Sequence, residues 1–244
     1  MLICYIFRLF HAMQDQEKEA LRQSYLEGRL LFMDKPYQWT SFDVVNKIKS
    51  LLRYRLGVKK IKVGHAGTLD PLATGLLIVC TGKSTRQIDS FQGLDKTYTG
   101  TFFIGKTTPS FDLEKEPDTD FPVAHITDAL LLSTAKSMVG EQQQVPPLFS
   151  AKKIAGERAY THARAGLDTR LEANTINIKA FDITRIAMPE VDFRVICSKG
   201  TYIRALARDY GEKLSSGAYL SALRRTHIGT YSVEEAINIK ELQL

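Results

Sequence analysis

Apolar positions recur along this chain in two rhythms, and the changes between them mark its elements. Gln14–Glu27, rich in Glu, Gln and Arg, reads as a polar helix, Arg29–Met33 as a strand and Asp34–Thr40 as a loop. Ser41 then caps a helix that sets Phe42, Val45, Ile48 and Leu52 on one face and lysines on the other. Leu76–Cys80 is a short apolar run, the mark of a fully buried strand. A short helix is expected near Ser84–Phe91 and a strand over Lys96–Ile104. Residues 105–122 hold prolines and mixed charge with little apolar content, and read as a mobile loop. Thr127–Val139 has helical spacing through Leu130, Leu131, Thr134 and Met138. The paired prolines within Val145–Ser150 require an edge or extended segment. Ala155–Ala165 reads as helix and Thr175–Ala187 as strand, while Val191, Phe193, Val195 and Cys197 alternate as a half-buried strand does. Thr201–Leu214 is expected to be a long helix, Ala218–Arg224 a shorter one and Ile228–Val233 a last strand. Strands outnumber what strict βαβ alternation would give. The expected class is α+β, a mostly antiparallel mixed sheet flanked by helices.

Length and charge narrow the picture. A chain of 244 residues can form one large domain with a sizeable core, or two small ones. Its net charge of +6 favours a polyanionic partner. Cys4, Cys80 and Cys197 are scattered and two lie in apolar runs, which suits buried thiols in a reducing compartment and neither a disulfide framework nor a zinc site. No apolar run approaches the ~18 residues of a membrane span. Met1–Phe10 is interrupted by Arg8 and lacks a basic leader and a small-residue cleavage site, so it is a poor signal peptide. A cytoplasmic protein without membrane contact is expected.

The chemistry concentrates in residues 64–82. Gly64, Gly67 and Gly75 permit backbone conformations closed to other residues and let a ligand approach closely. Pro71 locks its own φ and pushes Asp70 out of the helical region. A lone carboxylate on a rigid loop beside a core strand suits a nucleophile or base, and equally suits a structural Asp-Pro turn. On the residues alone both readings stand. Just downstream, Thr81-Gly82-Lys83-Ser84 imitates the end of a phosphate-binding P-loop. That motif needs a second glycine five residues before Gly82, where this chain has Leu77, so nucleoside triphosphate binding is rejected.

The stretch Gly64-His65-x-Gly67-x-Leu69-Asp70-Pro71-x-Ala73-x-Gly75 resembles the G-H-x-G-x-L-D-P-x-A-x-G signature of TruB-type pseudouridine synthases. Further segments resemble that family in the same order. Asp34-Lys35-Pro36 with Thr40-Ser41 is similar to D-K-P-x-G-x-T-S, with Gln38 where the family has glycine. Lys96-Thr97-Tyr98 resembles K-x-Y; Pro146–Ala151 with Lys153, Gly156, Tyr160, Ala163, Arg164 and Gly166 resembles another signature segment. Gly200–Arg204 resembles G-T-Y-I-R, and Leu223–Thr226 with Gly229 resembles L-R-R-T-x-x-G. The resemblance runs from about Gly28 to about Ile237. It implies the pseudouridine synthase fold, a catalytic domain over 28–244 and an N-terminal extension over 1–27. Such enzymes usually carry a small C-terminal RNA-binding domain, but only about 15 residues follow Gly229, too few for a core, so a single-domain variant is expected.

What it implies for chemistry is isomerisation of the uridine at position 55, in the TΨC loop of tRNA. The N1–C1′ bond breaks, the base turns, and C5 joins C1′; nothing is oxidised, so neither a cofactor nor a metal is expected. Asp70 would be the catalytic carboxylate, acting as nucleophile or as base toward the ribose 2′ proton. Arg204 would supply the fixed cation that keeps a closed-in carboxylate ionised. Tyr98 would stack on the extruded uracil, Tyr202 and Leu223 would line its pocket, and His65 would hold the distorted RNA loop. Lys35, Lys152, Lys153, Arg164, Arg224 and Arg225 would contact phosphates. The expected partner is the TΨC stem-loop of tRNA, and the expected state a monomer without protein partners. The rival readings are a non-catalytic RNA-binding or tRNA-folding module on the same scaffold, and a nucleoside hydrolase, which would need a second carboxylate near Asp70.

Overall fold

The computed structural model describes residues 2–148, 153–154, 157–158 and 171–242. The chain divides into two compact units, Met1–Gly93 with Tyr231–Leu244, and Leu94–Thr230. The first unit is therefore built from both ends of the chain. Its sheet joins β1 (Leu30–Lys35), β2 (Val63–His65) and β3 (Ala73–Thr81), with β3 antiparallel to both others. A two-residue strand near the chain's end, Ile237–Asn238, runs parallel to β1, Ile237 lying opposite Met33.

Two helices cover this sheet. In α2 (Ser41–Leu56), Val44, Val45, Ile48, Leu52 and Leu56 pack with Leu31, Met33, Leu77, Val79 and Ile239. Burying each of the large aliphatic side chains contributes roughly 1.5–3 kcal/mol. The expected helical face is corrected at its first residue, since Phe42 is 61% exposed. The cap is also one residue earlier than expected. Thr40 accepts the Asp43 N–H while the Asp43 carboxylate accepts the Thr40 N–H, a reciprocal capping box. Gly57 ends the helix at φ 66°, in the left-handed region.

The other helix, α1 (Leu2–Glu27), delivers Tyr25 into the same core, with Leu21 and Leu26 packed at its margin. The Thr81 hydroxyl donates to the Tyr25 carbonyl at 3.0 Å and accepts the Arg29 N–H at 3.0 Å. At the next residue, Gly82, a Cβ would lie 2.1 Å from the Leu26 carbonyl. The Thr-Gly pair that mimics a P-loop is thus the seat of α1. The expected helix near Ser84–Phe91 is split into a 3₁₀ turn over Gly82–Gln87 and α3 (Ile88–Gly93).

In the second unit β4 (Lys96–Ile104) has antiparallel neighbours on both sides, Glu190–Cys197 and Ala218–Ile228. Beyond Glu190–Cys197 lie Asn174–Ala187 and then Gly140–Gln144. Helices α4 (Asp128–Ser137) and α5 (Ile203–Lys213) complete the unit, around Phe102, Phe181, Phe193 and Tyr210. Phe102 and Phe193 stack with ring centroids 4.1 Å apart.

Two expectations are corrected here. Ala218–Arg224 is strand, because Tyr219 stacks on Phe103 of β4 at 5.1 Å and the segment pairs antiparallel with β4 along its length, with one register shift between Leu220 and Ala222. The cross-strand pairing overrides the helical preference of Ala and Leu. Residues 105–122 are not a mobile loop: Lys106–Thr107 pairs with Thr119–Asp120, and Thr108, Ser110 and Asp112 are buried. The hydroxyls of Thr108 and Ser110 both donate to the Asp112 carbonyl. Polar residues satisfied by one another need no apolar content to be ordered. Both units mix helices with mainly antiparallel strands, as the α+β class requires. Among the described residues no helix is long and apolar enough to cross a membrane.

Candidate active site

Asp70 sits half-buried between β2 and β3, in a loop held from several directions. Gly67 and Gly75 take φ 97° and 105°, conformations that L side chains rarely adopt. The Ala66 N–H donates to the Ile78 carbonyl at 2.8 Å, and the Ala73 N–H donates to the Asp70 carbonyl at 3.1 Å, closing the Asp-Pro turn. On one side of Asp70, the Ser41 hydroxyl accepts the Leu69 N–H at 2.9 Å and donates to the Leu69 carbonyl at 3.2 Å. On the other side, the Gln38 N–H reaches the Pro71 carbonyl at 2.9 Å. Gln38, which stands where the resembled motif has glycine, takes φ 65°.

Lys35 completes the clamp. Its ammonium is fully buried and donates to the carbonyls of Pro36 (3.0 Å), Trp39 (2.5 Å) and Pro71 (3.2 Å). A phosphate contact needs an exposed cation, so the expectation for Lys35 is corrected: it ties the Asp34–Thr40 loop to the residue after Asp70. His65 is half-buried at the end of β2, opposite Val79.

In the second unit Tyr98 lies on β4 opposite Val195 on one side and Arg225 on the other. Arg225 is only 1% exposed, which also removes it from the surface phosphate contacts expected for it. Leu223 and Arg224, on the same strand, are half-buried. Lys96, two residues before Tyr98, donates to the Leu94 carbonyl at 2.6 Å. Its burial, reinforced by the Arg225 charge, pulls its pKa down to about 8. Arg204 opens α5 with its guanidinium buried, donating to the Ser110 carbonyl at 3.2 Å and lying 3.6 Å from the Asp112 carboxylate. Tyr202 precedes it. Its backbone is held at both ends by the buried Gln144 amide, which accepts the Tyr202 N–H at 2.8 Å and donates to its carbonyl at 3.2 Å.

The structure thus joins Asp70 and Lys35 through one clamp in the first unit. In the second it places Tyr98 beside Arg225, and Tyr202 with Arg204 at the start of α5. Lys152, Arg164, the segment Phe149–Ala151, Gly156, Tyr160, Ala163 and Gly166 lie outside the described residues, as does the side chain of Lys153. Of the expected Ala155–Ala165 helix only Glu157–Arg158 is described, and it is strand, paired antiparallel with Lys153–Ile154.

Sequence reading missed Asp112, Ser110 and Gln144, whose buried roles depend on partners distant in the chain. It also missed a basic cavity of about 270 Å³ in the first unit, lined by Lys60, Lys62, Lys83 and Arg86 with Leu26 and Ile61. The sequence shows the two basic stretches, Lys59–Lys62 and Lys83–Arg86, but only the antiparallel pairing that sets Val63 opposite Thr81 brings them together.

Comparison with known proteins adds independent findings. Residues 53–203 match the model of the TruB family pseudouridylate synthase (N terminal domain). The tRNA pseudouridine synthase B of Flavobacterium johnsoniae is 57% identical over 218 residues, covering 89% of this chain and 95% of that protein. Its namesake in Phocaeicola vulgatus is 52% identical over 217 residues, 89% of this chain and 92% of that one. Among solved structures, a chain in a Cbf5-Nop10-Gar1 complex superposes with TM-score 0.68 at 28% identity, over 89% of this chain and 54% of that one. A chain in an H/ACA RNP bound to a substrate RNA containing 2′-deoxyuridine superposes with TM-score 0.64 at 26% identity, over 89% and 53%. This chain spans about half the length of those two solved chains.

Proposed function

Because this chain belongs to the TruB family of pseudouridylate synthases, we propose that it modifies the uridine at position 55, in the TΨC loop of tRNA, with Asp70 as its catalytic carboxylate. The chain is an isomerase that converts uridine to pseudouridine in tRNA. The observation that carries the proposal for Asp70 is its mount. The Ser41–Leu69 bonds on one side, and the Gln38 and Lys35 bonds to Pro71 on the other, fix the backbone to either side of this one carboxylate. Such fixation is what catalysis at a ribose carbon requires, since reacting atoms must be held in near-attack geometry.

A uridine in folded RNA reaches a carboxylate only after leaving its stack, and that costs least in a loop. In the proposed reaction Asp70 acts at the ribose, on C1′ or on the 2′ proton. The N1–C1′ bond breaks, the uracil turns, C5 bonds to C1′, and the C5 proton is lost as N1 regains one. Arg204 supplies positive charge to the pocket, with Ser110 and Asp112 fixing the direction of its guanidinium. Tyr98 stacks on the extruded base, Tyr202 and Leu223 wall it in, and His65 holds the loop it has left. Arg224 and the rim of the basic cavity, Lys60, Lys62, Lys83 and Arg86, take phosphates. Residues 28–244 act as the catalytic domain and 1–27 as an extension whose last turns are built into its core. The protein works in the cytoplasm as a monomer.

Asp70→Asn tests the assignment. Pseudouridine formation on unmodified tRNA transcript should disappear while tRNA affinity stays nearly unchanged, because phosphate contacts dominate affinity. Residual turnover above a few per cent of wild type would remove Asp70 from the reaction. Absence of turnover in the wild type would leave an RNA-binding module.

A further inference from the structure

The clamp beside Asp70 presents aromatic rings to solvent. Tyr37 is 53% exposed and Phe42 is 61% exposed. Scattered exposed apolar residues are ordinary, but the setting of these two is not. Tyr37 lies between Pro36, whose carbonyl Lys35 holds, and Gln38, whose N–H is bonded to Pro71. Phe42 follows Ser41, whose hydroxyl is bonded to both the N–H and the carbonyl of Leu69. Each ring therefore rises from backbone fixed to a neighbour of Asp70. Between them, Trp39 packs against the core and the Thr40–Asp43 capping box locks the first turn of α2. The loop has spent one aromatic on anchoring itself and keeps two outside.

The surface continuing from Phe42 along α2 matches. Phe42, Asn46, Lys49 and Arg53 follow one another at helical spacing, with Lys47, Tyr54 and Arg55 exposed beside them. Flat rings on a stiff backbone, interleaved with cations, are what unpaired nucleotides bind: the rings take base faces and the cations take phosphates. Resting on the RNA substrate proposed above, we propose that Tyr37 and Phe42 form a stacking platform for unpaired bases that flank the target uridine. The platform adds base-face contact to a surface that would otherwise hold RNA by charge alone.

The test uses the full chain and a TΨC stem-loop RNA carrying 2-aminopurine at an unpaired position next to the target uridine. Stacking on an aromatic is worth roughly 5- to 150-fold in affinity per base. Tyr37→Ala and Phe42→Ala should therefore each weaken hairpin binding at least fivefold and relieve the quenching of the probe. Phe42→Leu, which keeps apolar bulk without a ring face, should lose as much as Phe42→Ala. Tyr37→Phe and Phe42→Trp should stay within twofold of wild type. A fully paired RNA of equal length should bind all the variants alike. Hairpin affinity unchanged in both alanine variants overturns the platform, and so does an equal loss for hairpin and paired RNA. Pseudouridine formation by the wild type is measured in parallel on tRNA. Its absence would remove the proposed function, while the affinity series still decides for or against the platform.

Discussion

Lys35 lends its buried ammonium to the carbonyls of Pro36, Trp39 and Pro71, whereas Arg204 divides its guanidinium between the Ser110 carbonyl and the Asp112 carboxylate. Replacing Lys35 with Met removes three hydrogen bonds. The Pro71 carbonyl keeps the Gln38 N–H and the Pro36 carbonyl the Trp39 N–H, so the Trp39 carbonyl bears most of the cost, roughly 1–3 kcal/mol if it stays buried and unpaired. Thermal unfolding should show a loss of stability, and turnover should fall with it because one of the two bonds that hold the Pro71 carbonyl is gone. Arg204→Met should be nearly as damaging to turnover as Asp70→Asn, and Arg204→Lys should restore only part, since a point charge cannot serve a carbonyl and a carboxylate as a planar fork does. Asp112→Asn should lower turnover at least tenfold if the carboxylate aims Arg204; wild-type kinetics would make Asp112 purely structural.

Lys96 adds a pH dependence. With its pKa pulled from 10.5 to about 8, the folded chain sheds this proton before the unfolded chain does. Between these values the unfolded state binds more protons, so the Lys96 contribution to stability rises with pH, and its burial penalty is fully felt below about pH 8. Denaturant unfolding of wild type and Lys96→Met at pH 7 and pH 10 should show wild type gaining on the variant by roughly 1–3 kcal/mol. An unchanged gap would refute the charged burial of Lys96. At this scale the turn that carries Asp70 was legible, because its glycines and its Asp-Pro pair are local signals. The sequence did not display which cations turn inward, since Lys35 and Arg225 differ from solvated residues only in what surrounds them.

Elements were legible where their signals are local. The strand Lys96–Ile104 agrees with its pattern at both ends, and α2 begins within one residue of its expected start, with Thr40 and not Ser41 as its cap. The strand Ala218–Ile228 was hidden because its partner, β4, lies more than a hundred residues earlier, and composition alone favoured a helix. The buried hydroxyls at Thr108 and Ser110 were hidden for the opposite reason: polar residues usually signal exposure, and both of these donate to the Asp112 carbonyl. The seat of α1 yields a prediction at this scale. Gly82→Ala must fit a Cβ 2.1 Å from the Leu26 carbonyl at φ 51°, so α1 or the turn has to move. Gly57→Ala has a similar φ of 66° and nothing within 4 Å of its Cβ, so it carries the conformational cost alone, about 1–2 kcal/mol. Thermal unfolding should rank Gly82→Ala well below Gly57→Ala; equal losses would mean that α1 does not press on this turn.

For the whole molecule, basic charge and the α+β class could be read from the sequence, whereas the division into units could not. The first unit closes through pairing of Ile237 with Met33 and through Ile239 in a core otherwise supplied by the first third of the chain. No periodicity announces a contact across such a separation. It has a consequence in time. A ribosome delivers Leu30–Lys35, α2 and β3 early, yet the strand and the core side chain that finish their unit emerge only after Thr230. Throughout elongation the early segment must wait, partly open, while the whole of Leu94–Thr230 is made. A nascent chain halted at Thr230 should then leave α2 and β3 open to protease, and synthesis of the final stretch should close them; protection already complete at Thr230 would show that the early segment folds without its last partners.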